Sequence, residues 1–200
     1  SLKNFDLPRL DVFDTIGMNA AYRHWDQIGW YPTYYICLDK VVGISHKDEI
    51  ARLIAQHGRN GIRAFFLRSN LIKELPGDLA DSDVVFDFDA IRAIAPLFNP
   101  MPITTGSHAS LFGALLGYRR MVLAGIDCNY VEKVEGAVDR GGTVLEIVGS
   151  TQGNPNYFFD GYQVAGDRYN VPNSSPDLHL ESWRAVAPVL AGRGIPVWNM

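Results

Sequence analysis

Apolar and polar positions alternate between two periods along this chain. TYYICLD (33–39) and IRAFFL (62–67) are short apolar runs with strand composition. VFDTIGM (12–18) precedes them as a first strand, with AAYRHWDQ as a short helix between. HKDEIARLIAQHG places Ile50, Leu53 and Ile54 at helical spacing and ends at Gly58, a stop signal. VVF (84–86) reads as a further strand, and FDAIRAIAPLF as a helix that Pro96 disturbs. ITTGSHASLFGALLG then reads as a helix headed by Thr104 and ending near Gly117, followed by the strand MVLAGI. LHLESWRAVAPVLAGRG repeats Leu180, Trp183 and Val186 at helical spacing behind the cap candidates Ser174, Ser175, Pro176 and Asp177, and IPVWNM begins one more strand.

Strands interleaved with helices imply parallel pairing through crossovers, hence an α/β layered fold with a mainly parallel sheet. Residues 128–178 break that rhythm: they are rich in Gly, Asn, Pro, Asp and Tyr without clear periodicity. A segment this long within one domain reads as a lid or binding insertion, and its aromatics argue against simple disorder.

Composition narrows the picture. Two hundred residues, 47% of them hydrophobic, suffice for one well-filled core, so residues 1–200 are expected to form a single domain. A net charge of −4 with no Lys/Arg block argues against nucleic-acid or anionic-membrane partners and for a small ligand. No run of about 18 apolar residues is present, and SLKNFDLPRL lacks a signal peptide's pattern. Cys37 and Cys128 stand alone, which suits a reducing cytoplasm; buried free thiols are the commoner case, and a structural pairing is the alternative. A homo-oligomer is compatible with the aromatic-rich surface.

In open parallel sheets ligands settle at the carboxyl ends of the strands, where helix N-termini point N–H groups into the crevice. Asn19, Asp39, Asp127 and Asn199 follow or end strands here, and Thr104, Thr105, Gly106 and Ser107 head a helix. An unpaired buried carboxylate would cost several kcal/mol, so Asp127 is expected to face a polar crevice. Taken singly, each of these residues reads rather as a helix cap or turn former, and only their convergence speaks for a site.

ITTGSHASLFGALLGYRRMVLAGID resembles a segment of the bacterial α-2,3/α-2,8 sialyltransferases of the lipooligosaccharide type, in which an I-T-S-G helix head leads through A-L-G-Y to a strand ending S-G-I-D. SLKNFDLPRL, with a strand and Asn19 after it, is similar to the segment just beyond the G-N-G-P-S-L turn of those enzymes. The related 6-hydroxymethylpterin diphosphokinase-like domains share the pattern. The resemblance implies a Rossmann-like three-layer sandwich with a lid insertion over about 128–178, binding a CMP-sugar without an obligatory metal. It implies that Asn19 and the Thr104-Thr105-Gly106 head face the nucleotide and phosphate, that Asp39 takes the place of a family asparagine, and that Gly125 and Asp127 shape the floor. The family's first strand and glycine turn have no counterpart, so the chain reads as trimmed at both ends. Cys128 and Asn129 stand where the family has an aromatic pair. The family's lid histidine aligns near Pro172 or Asn173, the nearest histidine being His179.

His179 is thus the candidate general base, an imidazole suited to titration near neutrality, or else a solvent-facing residue of a first helical turn. Tyr157, Tyr162 and Tyr169 are expected to stack on a base or bind a leaving phosphate, with Tyr162 and Tyr169 as further catalytic candidates, or to anchor the insertion. Arg168 is the lid's candidate phosphate cation. His108 could donate to a phosphate or simply pack, whereas His24, His46 and His57 read as surface residues. The expected activity is transfer of a sugar from a nucleotide donor to a cell-surface glycan. The alternatives are an ATP/Mg²⁺-dependent diphosphokinase with Asp39 and Asp127 near the metal, and a non-catalytic nucleotide-sugar-binding domain. Asp87-Phe88-Asp89 could hold a divalent ion, but reads better as an acidic helix start.

Overall fold

The computed structural model describes residues 2, 5–131, 133–149, 154–175 and 177–200. The cap candidate Pro176 lies outside them. The chain is α/β. Four parallel strands, β1 (Ile16–Met18), β2 (Tyr34–Cys37), β3 (Ala64–Leu67) and β4 (Val85–Asp87), lie side by side in chain order, with Ile36 opposite Met18 and Phe66. β1 is shorter than the apolar run suggests, and Val12 and Phe13 before it are exposed.

The crossovers are α1 (Tyr22–Ile28), α2 (Lys40–Ser45), α3 (Lys47–Ala55), the single turns α4 (His57–Asn60), α5 (Ser69–Ile72) and α6 (Gly77–Ala80), and then α7 (Phe88–Ile94). Pro96 enters a 3-10 turn, Pro96–Phe98, at the point where a proline disturbs the helical pattern. α8 (Thr105–Leu115) leads to β5 (Met121–Leu123). Beyond the inserted segment come α9 (Leu178–Ala191) and the last strand, β9 (Val197–Asn199), which pairs in parallel with β5.

Alternation in β2 and β3 builds a core on each face of the sheet, because strands covered on both sides bury every position. Tyr35, Cys37, Phe65 and Leu67 join Trp25 and the Ile50, Leu53 and Ile54 stripe of α3. Ile36, Leu38, Ala64 and Phe66 join Phe88, Phe98, Leu111 and Phe112, with Val186 and Leu190 of α9. Phe66 and Phe112 stack at 4.0 Å between ring centroids, which locks α8 onto β3.

The inserted segment is more ordered than its composition implies. β6 (Ala137–Asp139), β7 (Val144–Ile147) and β8 (Arg168–Asn170) form an antiparallel sheet with a small core of Val134, Ala137, Leu145, Ile147 and Tyr169. Two of its strands have only three residues, too few to display a period, whereas VLEI does alternate, with Leu145 and Ile147 buried. Among the described residues no helix is long and apolar enough to cross a membrane, and both cysteines are free thiols.

Candidate functional site

The head of α8 is where the strand ends meet. Thr105 Oγ1 accepts from the Leu38 N–H at 3.3 Å, which ties the helix start to the end of β2. A methyl group placed on Gly106 would lie 3.5 Å from Ile126 Cδ1 and 3.9 Å from Met18 Sδ, so the end of β1 and the segment beyond β5 both pass this glycine. Asn199 of β9 donates to the Ile126 carbonyl at 2.8 Å. Asn19, Thr105, Gly106 and the Gly125-Ile126-Asp127 turn therefore belong to one rim.

Asn19 is held in an unusual state there. Its φ of 52° is left-handed, and such conformations in non-glycine residues persist only where surroundings enforce them. Its carbonyl accepts from Tyr35 Oη at 2.9 Å, and its Oδ1 is buried without a hydrogen-bond partner. Gly125 is left-handed at 73°, and Leu2 lies where a Cβ would project, so only glycine suits the position. Asp127 is exposed, and its carboxylate accepts from the Asn129 N–H at 3.3 Å in a local turn. Asn129 is likewise exposed. Cys128, itself left-handed at 53°, is partly buried, and burial with the neighbouring Asp127 pushes its thiol pKa up.

Thr105 is buried with its hydroxyl on Leu38, and two further members of the helix head are turned inward. Thr104 and Ser107 are buried, bonded to each other at 2.9 Å and both to Ser182 of α9, which in turn donates to the Pro102 carbonyl. Their hydroxyls fasten α8 to α9, contrary to the expectation that they serve a phosphate. His108 is buried beside them, its Nδ1 3.1 Å from Ser107 Oγ and its Nε2 unpartnered; burial lowers its pKa to about 4.

The segment between β5 and α9 sets three tyrosines beside Asn19. Tyr157 and Tyr162 stack at 3.7 Å with rings 8° from parallel, and Tyr169 is buried with its hydroxyl unpartnered. Burial raises the pKa of all three. They stay protonated at neutral pH, able to hydrogen-bond but not to act as bases. Beneath them is a cavity of ≈ 40 Å³ lined by Asn19, His46, Tyr157, Tyr162, Asp167 and Tyr169, among others.

The remaining candidates are engaged elsewhere. Asp39 is the N-cap of α2, accepting from the Val41 and Val42 N–H groups, and also takes the Asn170 amide. Arg168, whose residue also lines the cavity, is exposed, and its guanidinium pairs with Glu146 at 2.7 Å. Hydrogen bonds from Arg140 and Arg168 hold that carboxylate below its ordinary pKa. His179 Nε2 lies 2.8 Å from the Pro172 carbonyl, so this nitrogen carries a proton and donates it, and the ring packs on Tyr130 at 4.7 Å. The Tyr130 hydroxyl is pushed up to about 12 by burial. Asp87 caps α7 and accepts from Ser69, while Asp89 pairs with Arg68, so this motif is a helix start. Among the described residues no group of three His, Cys, Asp or Glu is placed to hold a metal.

Sequence reasoning missed a buried polar set beside the cavity. Arg23 is paired through both terminal nitrogens with Asp167, one at 2.9 Å, and donates to the Tyr162 carbonyl at 2.7 Å. His46 is buried, bonded through Nδ1 to Tyr22 Oη at 2.7 Å, with Nε2 3.7 Å from Asp167. Burial lowers its pKa, against the opposing pull of Asp167. His24, also expected at the surface, packs against Phe158 and Phe159. No local signal pairs Arg23 with a carboxylate 144 residues away. No protein-family model, curated protein or solved structure matches this chain.

Proposed function

We propose that this chain is a glycosyltransferase-like protein of the sialyltransferase-like, Rossmann-like type, which takes a sugar from a nucleotide donor such as a CMP-sugar and places it on a cell-surface glycan from the cytoplasmic side. One observation carries the reading: the head of α8 lies against Met18 and Ile126 at the strand carboxyl ends, and next in the chain to Met18 the Asn19 amide oxygen is buried without a partner at a tyrosine-lined cavity. A buried acceptor without a partner costs roughly 1–3 kcal/mol, which a ligand N–H or O–H would recover.

The proposed roles come from the geometry. The N–H groups opening α8 stabilise the departing phosphate. This replaces the hydroxyls of Thr104 and Ser107, which the contact with α9 consumes. The protonated tyrosines donate hydrogen bonds to donor or leaving group. His179 can accept a proton from the glycan hydroxyl through Nε2 only after releasing the Pro172 carbonyl and shifting the Nε2 proton to Nδ1. That engagement also favours a second reading, a non-catalytic nucleotide-sugar-binding domain.

Thermal unfolding with CMP, UDP, GDP and ATP, each with and without Mg²⁺, tests this, since a ligand of the folded state raises Tm. CMP alone is expected to shift Tm. A shift only with ATP plus Mg²⁺ would move the assignment to the diphosphokinase-like alternative, and no shift with any nucleotide would remove both. CMP binding without transfer, in a protein whose His179→Ala variant behaves identically, supports the binding domain.

A further inference from the structure

The inserted sheet is a small body held against α1 and α2 by several polar contacts. Its buried residues pack on one another, with Val42 and Val171 as their partly buried apolar neighbours. Arg23 holds Asp167 with both terminal nitrogens and also reaches the Tyr162 carbonyl. The Arg168 N–H donates to Ser45 Oγ at 2.8 Å, and the Asn170 amide donates to Asp39. The insertion's apolar contacts with the main body include Tyr162 against the core beneath β2, Val42 of α2 against the small core, and Phe158 and Phe159 against His24. Asp167 also accepts from its own Val164 N–H at 2.8 Å and faces His46 on the core side.

With the insertion seated, the space over Asn19 is a cavity of ≈ 40 Å³. That is room for a few waters, since one water needs at least about 10–15 Å³ by this kind of measure. Pockets for nucleotide-sized ligands run to several hundred Å³, on the order of 300–1,000. The seated arrangement therefore leaves no room for a nucleotide-sized ligand in the space over Asn19. Among the contacts that seat the insertion, the charge-to-charge pair is Arg23–Asp167, with side chains 20% and 9% exposed.

We propose that the β6–β8 insertion opens as a unit and that the Arg23–Asp167 pair is its latch: breaking it lifts the tyrosines off Asn19 and frees the Arg23 guanidinium to meet an anionic ligand at the rim. That a ligand uses the opening rests on the nucleotide-sugar reading of the rim; the opening itself does not. Removing the charge of Asp167 leaves Arg23 unpaired in the closed state but solvated in the open one, so the population shifts toward open.

Amide hydrogen exchange on the 200-residue protein tests the latch. In the unmodified protein, β7 and β8 amides are expected to exchange at least about tenfold faster than those of β2 and β3, as a separately opening unit does. In Asp167→Asn the β7 and β8 amides should gain a further factor of about ten while β2 and β3 stay unchanged. Arg23→Lys, which keeps the charge but loses the two-pronged geometry, should fall between. Equal exchange of the two regions in the unmodified protein would overturn the proposal without any variant. So would Asp167→Asn exchange that leaves β7 and β8 unaltered or accelerates both regions alike. Failure of CMP to alter exchange anywhere would count against the nucleotide reading and leave the latch standing.

Discussion

Asn170 donates to both carboxylate oxygens of Asp39, at 2.9 and 3.1 Å, while Asp39 Oδ1 also accepts from Val41 and Val42 at the start of α2. One acid therefore starts a helix of the main sheet layer and anchors the last strand of the insertion. Asp39→Ala is expected to cost about 2 kcal/mol, roughly 1 for the cap and roughly 1 for the amide contact. Asn170→Ala should cost about 1 kcal/mol, and the double variant little more than Asp39→Ala alone, because both remove the same contact. Urea unfolding of the four proteins reads this. An Asp39→Ala no worse than Asn170→Ala would mean that the carboxylate contributes nothing to α2.

His108 makes stability depend on pH in one direction. Its imidazole is buried with a pKa of about 4, against about 6.5 in an unfolded chain. The unfolded state binds the proton first as pH falls, so His108's contribution is complete above about pH 6.5 and is lost progressively down to about pH 4. The shift corresponds to about 3 kcal/mol at about 1.36 kcal/mol per pH unit. His46, lowered chiefly by burial, acts with the same sign. His108→Asn cannot titrate, so its unfolding free energy between pH 7 and pH 4 should fall by about 3 kcal/mol less than that of the unmodified protein. Parallel curves for the two proteins would show that His108 is not the group responsible.

Local periodicity is what makes part of this fold legible in the sequence. The runs YYIC and AFFL are strands, and the Ile50, Leu53 and Ile54 stripe faces the core as its spacing requires. Lys40–Ser45 is not legible, because two adjacent valines and a glycine do not advertise a helix, so Asp39 reads as a strand end although its side chain caps one. The strand ends and the head of α8 are readable, since both are local features. Which way the hydroxyls of Thr104 and Ser107 point is not, because that depends on Ser182, 75 residues beyond Ser107. For the same reason His46 and Arg23 look like ordinary surface residues: Asp167, which makes them a buried cluster, comes from a different part of the chain.

Gly17 in β1 tests the packing of the first core. A Cβ there would lie 2.2 Å from the Trp25 ring and 2.7 Å from Pro32, both parts of a tightly filled layer. Trp25 is 2% exposed and in edge contact with Trp30 and Tyr35, so it has little freedom to move aside. Gly17→Ala is expected to destabilise by about 1–3 kcal/mol, the usual range for overpacking. An unchanged urea midpoint would mean that the indole shifts without cost to its neighbours.

Gly106 separates the two meanings of the helix head. It sits in the first turn of α8, its φ is not left-handed, and an added methyl group would meet Ile126 and Met18 at ordinary contact distances of 3.5 and 3.9 Å. Alanine is the better helix former, by up to about 1 kcal/mol in a helix interior, so Gly106→Ala should fold with unchanged or slightly raised Tm. If a phosphate approaches the backbone here, the methyl group occupies the space it needs, and the Tm rise given by CMP should fall or vanish while stability without ligand is kept. Ser182→Ala should do the reverse. It opens the hydroxyl cluster between α8 and α9 at a cost of about 1–3 kcal/mol and leaves the CMP-dependent shift in place. A Gly106→Ala protein that responds to CMP like the unmodified one would take the helix head out of the binding site altogether.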